Sequence, residues 1–162
     1  MAGHRGQAGL EGGCACGAVR YRLRQPAMFV HCCHCRDCQT QSGSAFALNA
    51  LVESVEVETL SGLPQAELAK TDSGAGQQLW RCPQCQVIVW SNYGGTQDAI
   101  RFVRVGTLDD PRSIVPDMHI YTRSMLPWVR LPEGAASVEA YYDMKQVWPA
   151  DSLGRLQAAH HG

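Results

Sequence analysis

Eight cysteines constrain this chain more than any other feature of its 162 residues. They lie in three short groups, at residues 14–16, 32–38 and 82–85. The N-terminal sequence has no apolar run typical of a signal peptide, so we expect a cytoplasmic, reducing environment. In that environment, cysteines at such short spacings indicate metal binding rather than disulfide bonds.

Charge and hydropathy argue against two classes of partner. The chain has 14 basic and 15 acidic side chains, for a formal net charge of −1. This balance gives no electrostatic reason to expect nucleic acid or an acidic membrane surface as a partner. No apolar stretch approaches the roughly 18 residues that span a bilayer. We therefore expect a soluble globular protein, and its oligomeric state stays open.

The length of the chain predicts one domain with flexible ends. The polar, Gly-rich residues 1–10 predict a flexible N-terminal arm. Residues 11–148 are then expected to form the single metal-binding domain, and residues 149–162 a flexible C-terminal tail.

Short runs of alternating polarity predict strands rather than long helices. Residues 65–70 fit either a strand or a short helix, and residues 135–147 could hold one short helix. No helical period continues beyond about two turns, so the fold class is mainly β. The predicted strands and extended segments are residues 19–23, 46–51, 55–58, 77–81, 87–90, 99–105, 116–121 and 128–131.

The first and third cysteine groups together offer four thiolates for one zinc ion. Zinc in structural sites takes four ligands in a tetrahedron, with Zn–S distances of about 2.3 Å. The pair Cys14 and Cys16 and the pair Cys82 and Cys85 complete such a closed site. The site would join distant parts of the chain, which helps a small β domain whose strand pairings are non-local.

The middle group offers three thiolates from one loop, namely Cys33, Cys35 and Cys38. The fourth position would be taken by Cys32, a histidine, a distant residue, water or a substrate. Three protein ligands with one open position are typical of catalytic zinc. The alternatives are an iron–sulfur cluster, a thioredoxin-like redox pair, or two zinc ions that are both structural.

These motifs, in this order, resemble the glutathione-dependent formaldehyde-activating (Gfa-like) family. The similarity implies an Mss4-like fold of short antiparallel strands around a structural zinc site, with few short helices. It also implies the same division of the cysteines into a structural site of four and a second site of three. The resemblance rests on GGCACGAVRY at 12–21, CHCRDCQ at 33–39, SGSAF at 42–46, the two cysteines at 82–85, HIY at 119–121 and PW at 127–128.

The resemblance also implies an activity, namely the condensation of glutathione with formaldehyde, which is a carbon–sulfur lyase reaction in reverse. Up to two Zn²⁺ per chain are implied, with glutathione as a possible co-substrate and a small thiol or carbonyl compound as substrate. In this view Cys33, Cys35 and Cys38 serve the chemistry as ligands of the second zinc. The chain departs from the family pattern at Gln86, where glycine often follows the third motif, and in its extra thiol at Cys32.

Three further residues are candidates for the site. His119 could act as a proton carrier or ligand, and Arg36 and Arg123 could bind substrate carboxylates. Each of these residue types more often has a packing or salt-bridge role. His31 and His34 also flank the cysteines. Two other functions remain open: a non-catalytic zinc-stabilised binding module, and a thiol or zinc sensor.

Overall fold

A computed structural model of the protein describes residues 4–71, 74–94 and 98–161. Within these residues the chain forms ten strands and three α-helices. The strands are β1 Leu10–Gly13, β2 Arg20–Leu23, β3 Phe29–Cys33, β4 Ala47–Glu53, β5 Val57–Ser61, β6 Gln65–Ala69, β7 Gln77–Arg81, β8 Ile88–Tyr93, β9 Ile100–Arg104 and β10 Met118–Ile120. The helices are α1 Arg36–Ser42, α2 Met144–Val147 and α3 Ala150–His161.

The strands form two sheets, so the predicted mainly-β fold class is confirmed. A three-stranded sheet has the order β1-β2-β5, and a seven-stranded sheet has the order β10-β3-β4-β9-β8-β7-β6. The pairings are antiparallel, except that β10 runs parallel to β3. The segment 65–70, which was open between helix and strand, forms β6.

Two apolar clusters share the interior. One packs the small sheet against the large sheet, and it contains Tyr21 and Trp90, whose rings meet edge to face at 5.6 Å. The other contains Phe29 and Trp148, whose rings stack at 5.1 Å. Strand β3 contributes to both clusters, because successive side chains of a strand point to opposite faces. Val30 belongs to the first cluster and Phe29 to the second.

The described part of the N-terminal segment, residues 4–10, contacts the domain within the stretch 1–10, where we expected a flexible arm. Arg5 forms an ion pair of 2.9 Å with Asp117, whose side chain is only 6% exposed. The same carboxylate accepts the backbone N–H of Val30. A nearly buried carboxylate needs a charged partner, and Arg5 satisfies it. Residues 1–3 lie outside the described residues.

The C-terminal segment forms α3, where a flexible tail was expected over 149–162. Arg155 of this helix donates to both carboxylate oxygens of Glu53, at 2.6 and 2.7 Å. Ser152 Oγ donates to the backbone oxygen of Met28 at 2.7 Å. A short helix takes most of its stability from such tertiary contacts, which the local sequence does not reveal. Residue 162 lies outside the described residues.

The remaining expectations concern short elements. Of residues 135–147, only Met144–Val147 is α-helical, and residues 128–131 form no strand. Among the described residues, no helix combines the length and apolar character needed to cross a membrane.

Candidate metal centres and the adjoining cavity

The first candidate centre, here called the four-cysteine cluster, consists of Cys14, Cys16, Cys82 and Cys85. Their sulfur atoms all lie within 4.8 Å of one another. The turn after β1 places the first pair, and the turn between β7 and β8 places the second. The structure therefore brings together the four thiols that the sequence grouped, although 66 residues separate Cys16 from Cys82.

The turn at Cys82 and Cys85 forms without the glycine that often ends this motif. Gln86 adopts a positive φ of 62°, a conformation in which glycine is strained least. Its backbone N–H donates to the carbonyl oxygen of Cys82 at 3.0 Å, which closes the turn. A hydrogen bond from the backbone of Val87 lowers the pKa of Cys85 to about 6. The turn thus stabilises a thiolate, which is the form that binds metal.

The second candidate centre, the three-cysteine cluster, consists of Cys33, Cys35 and Cys38. Their sulfur atoms also lie within 4.8 Å of one another. Cys33 ends β3, Cys35 is the N-cap of α1, and Cys38 lies in the first turn of that helix. The Cys35 sulfur accepts the backbone N–H of Cys38 at 3.4 Å. A helix N-terminus favours negative charge, so this position suits a thiolate.

The three thiols of this cluster differ in the direction of their pKa shifts. Hydrogen bonds from Cys33 and then Cys38 lower the pKa of Cys35. The reciprocal contact with Cys35 raises the pKa of Cys33. Cys35 also accepts the backbone N–H of Cys38 and is the most exposed of the three thiols, so it is the position of the cluster that best accommodates negative charge.

Arg104 places a buried positive charge near this cluster. Its guanidinium donates to Asn49 Oδ1 at 2.5 Å and to Gln41 Oε1 at 2.7 Å, both neutral groups. Within the described residues no carboxylate forms an ion pair with it. A hydrogen bond from Cys33 lowers the pKa of Cys38, but the contact with Cys35 and burial raise it to about 11 overall, and the charge of Arg104 offsets only a small part of that rise. Since three thiolates and one Zn²⁺ sum to −1, a buried cation stabilises the filled site.

A cavity of about 480 Å³ adjoins the three-cysteine cluster. Cys33 and Cys35 line it, whereas no residue of the four-cysteine cluster does. Arg36 and Arg123 also line it, so both arginines that the sequence singled out lie at this cavity. The other lining residues are His31, Asp37, Asn49, Thr71, Tyr93, Phe102, Ile120, Tyr121, Ser124 and Tyr141.

None of the three tyrosines that line the cavity, Tyr93, Tyr121 and Tyr141, was recognised as a site residue from the sequence. Tyr121 has a φ of 57°, which is uncommon for a residue other than glycine and is a mark of functional sites. Burial raises the pKa of Tyr121 and raises that of Tyr141 to about 12. Both hydroxyls are therefore protonated donors at neutral pH. The HIY motif at 119–121 contains Tyr121, but only its histidine was predicted to be a site residue.

His119 does not lie at the three-cysteine cluster. The parallel pairing of β10 with β3 puts His119 beside Cys32, and its Nδ1 is 3.1 Å from His34 Nε2. Burial lowers the pKa of both His34 and His119, so both rings are neutral at neutral pH. His31, by contrast, lines the cavity and bonds Tyr142 through its Nε2 at 2.6 Å.

Both cysteine clusters fit zinc on the chemistry of their donors. Thiolates are soft ligands that zinc prefers, and tetrahedral coordination needs sulfur atoms about 3.8 Å apart. The sulfur atoms of Cys14 and Cys16 are 3.5 Å apart, and those of Cys16 and Cys82 are 3.7 Å apart. The four-cysteine cluster could hold zinc with a complete set of ligands, and the three-cysteine cluster leaves one position beside the cavity.

Fold and site together define a mainly-β protein with clustered cysteines able to hold metal ions. The model of the family described as "Glutathione-dependent formaldehyde-activating enzyme" matches residues 9–124, so the chain belongs to that family. No curated protein matches the chain. Among solved structures, it is similar to a crystal structure of a Rhodobacter sphaeroides protein, a structural genomics target, with a TM-score of 0.48 and 20% identity. That similarity covers 64% of this chain and 93% of the other.

Proposed function

We propose that the protein is a zinc-dependent enzyme of carbon–sulfur lyase type. Its substrate is the adduct of a glutathione-like thiol with a small carbonyl compound. One observation carries the proposal: three convergent thiols, two of which line a cavity of about 480 Å³ that also contains two arginines. Membership of the family supports the same chemistry.

The residues divide into two metal-binding sets. Cys33, Cys35 and Cys38 would hold the zinc at the cavity, and the four-cysteine cluster would hold a structural zinc. When bound at the cavity, zinc supplies a Lewis acid that lowers the pKa of a thiol from about 8.5 and favours the thiolate.

The cavity walls suit a peptide-like thiol better than a small aldehyde alone. Arg36 and Arg123 offer charged donors for carboxylates, and such charge-assisted hydrogen bonds are the strong ones. A volume of about 480 Å³ lies within the range of ordinary small-molecule sites. A thiol tripeptide with two carboxylates therefore matches both the size and the charge of this cavity.

Proton transfer falls to the tyrosine hydroxyls. When a thiol adds to an aldehyde, a carbon–sulfur bond forms and the thiol proton ends on the former carbonyl oxygen. Tyr121 and Tyr141 line the cavity with protonated hydroxyls. They can donate a hydrogen bond to that oxygen as its negative charge develops. The reverse reaction returns the proton and releases the aldehyde.

Calorimetric titration of zinc-loaded protein with glutathione tests this proposal. We expect saturable binding that is lost in a folded Cys35→Ser variant. S-methylglutathione is the matched control ligand, because it keeps both carboxylates and lacks the thiol; it should bind at least tenfold more weakly. Equal binding of the two ligands would show that the thiol does not approach the metal and would contradict the mechanism.

A second candidate function is a zinc-stabilised binding module. Strand β6 ends the large sheet in the described part of the chain. Leu63, just before this strand, is 77% exposed, and Leu68, within it, is 82% exposed. Exposed edge strands with apolar side chains can pair with another chain. Leu68→Glu would weaken such an association and leave the binding of glutathione unchanged, so the two functions give separable results.

A further inference from the structure

A third group of metal-ligand side chains lies outside both cysteine clusters. Cys32, His34 and His119 place one sulfur and two ring nitrogens within 4.8 Å of one another. Strand β3 continues into residue 34 through a hydrogen bond from the His34 N–H to the Ile120 oxygen. The group therefore lies where β3 and β10 run side by side, and here we call it the Cys-His-His cluster.

This cluster is on the opposite side of β3 from the three-cysteine cluster. Successive side chains of an extended chain alternate between faces. Cys33 and Cys35 therefore point toward the cavity, while Cys32 and His34 point away from it. His119 is the register partner of Cys32 on β10, and paired residues of neighbouring strands lie on the same face.

The distances match tetrahedral zinc coordination. With Zn–N of about 2.0 Å and Zn–S of about 2.3 Å, tetrahedral geometry separates two nitrogens by about 3.3 Å and a nitrogen from a sulfur by about 3.5 Å. His34 Nε2 is 3.1 Å from His119 Nδ1 and 3.7 Å from the Cys32 sulfur. Both distances differ from these ideal values by about 0.2 Å. The sulfur–sulfur distances of the four-cysteine cluster differ from their ideal value by a similar amount.

The surroundings of the three side chains also indicate a ligand. Cys32 is 2% exposed, His34 0% and His119 9%. Cys32 belongs to neither apolar cluster, so simple packing does not account for it. In the described part of the chain, the three convergent atoms have hydrogen bonds only with each other.

We propose that Cys32, His34 and His119 form a third metal site, which binds Zn²⁺ independently of the two cysteine clusters. One thiolate and two neutral imidazoles are ligands that zinc accepts, with a fourth position left for water. Cys32 and His34 are the chain neighbours of Cys33. A metal ion bound to them would therefore fix the backbone that positions Cys33 at the cavity.

Metal content tests the third site directly. The 162-residue chain with His160→Ala and His161→Ala serves as the reference, since these adjacent histidines of α3 could bind metal non-specifically. After gel filtration with excess zinc, we expect three Zn²⁺ per chain. Cys32→Ser and His119→Ala should each reduce this number to two. His31→Gln is the matched control, a buried histidine of the same strand outside the cluster, and should keep three.

Cobalt substitution tests the site without changing any of its three ligands. Apoprotein of the reference chain is titrated with Co²⁺ and followed by absorption spectroscopy. The third equivalent should add the ligand-field bands of a tetrahedral site. Its sulfur-to-cobalt charge-transfer band should be weak, because this site has only one thiolate. A reference chain that saturates at two metal ions would refute the third site. So would retention of three ions in both Cys32→Ser and His119→Ala.

Discussion

The two cysteine clusters use the same ligand and the same short spacings, yet they differ in completeness and access. The four-cysteine cluster offers a full set of ligands from two distant turns and has no residue in the cavity beside the three-cysteine cluster. The three-cysteine cluster comes from one strand-to-helix segment, and two of its members line the cavity. A closed set of ligands holds a fold together, whereas an incomplete set beside a cavity can bind a substrate.

Each cluster is also anchored in a different part of the core. Cys14 and Cys82 belong to the apolar cluster between the sheets. Cys33 and Cys38 belong to the second cluster, with Phe29 and Trp148. Loss of one metal should therefore disturb one half of the interior first, which allows the two sites to be separated by experiment.

The largest expected effect is on folding. Cys82 is fully buried, and Cys82→Ser removes one of the four ligands that join distant turns. We expect a loss of about 5 kcal/mol or more in the free energy of unfolding, which lowers the melting temperature by about 10–20 °C. Differential scanning fluorimetry with zinc present measures the change. A melting temperature within about 2 °C of wild type would contradict a structural role for this cluster.

The next effect should be on activity. Cys35→Ser is expected to lower kcat/KM for the thiol adduct about 100-fold or more, since the Lewis acid contributes several kcal/mol to the transition state. The melting temperature should fall far less than in Cys82→Ser. The melting temperature and kcat/KM are measured for both variants. The proposed division of roles between the two clusters is contradicted if Cys35→Ser unfolds the chain, or if its turnover stays normal.

A smaller effect should appear in substrate binding. Arg123 lines the cavity and its guanidinium lies 5.9 Å from the ring centre of Tyr121. We expect Arg123→Ala to raise KM about tenfold with little change in kcat, because it removes a charged hydrogen bond to a carboxylate. Arg112→Ala is the matched control, since its side chain is 91% exposed and outside the cavity. Equal KM values for the two variants would show that Arg123 does not contribute to substrate binding.

The smallest effect tests the anchoring of the second core cluster. Arg155→Ala breaks the ion pair with Glu53, whose side chain is 11% exposed. We expect a loss of about 1–2 kcal/mol in urea unfolding, between the values for exposed and buried pairs. Lys145→Ala, an exposed position, is the control and should change the unfolding free energy by less than about 0.5 kcal/mol. A loss in Arg155→Ala no larger than in the control would show that α3 does not stabilise the core.

Much of the fold and of both cysteine clusters could be predicted from the chain alone. Alternating polarity located most strands, because the period of a strand is written in adjacent residues. The groupings at 14–16 with 82–85 and at 33–38 followed from zinc geometry, which admits few arrangements of closely spaced thiols. Helix α3 was missed because its stability comes from Glu53 and Met28, which are far from it in sequence.

The sequence by itself determined the ligand types, their local spacing and the mainly-β pattern. Only the tertiary structure decided which further residues meet in space: the arginines and tyrosines around the cavity, the buried Arg104, and the Cys32, His34 and His119 cluster. The physical reason is that strand register controls these contacts. His119 meets Cys32 because β10 runs parallel to β3 in that alignment, and a shift by one residue would turn its side chain to the other face.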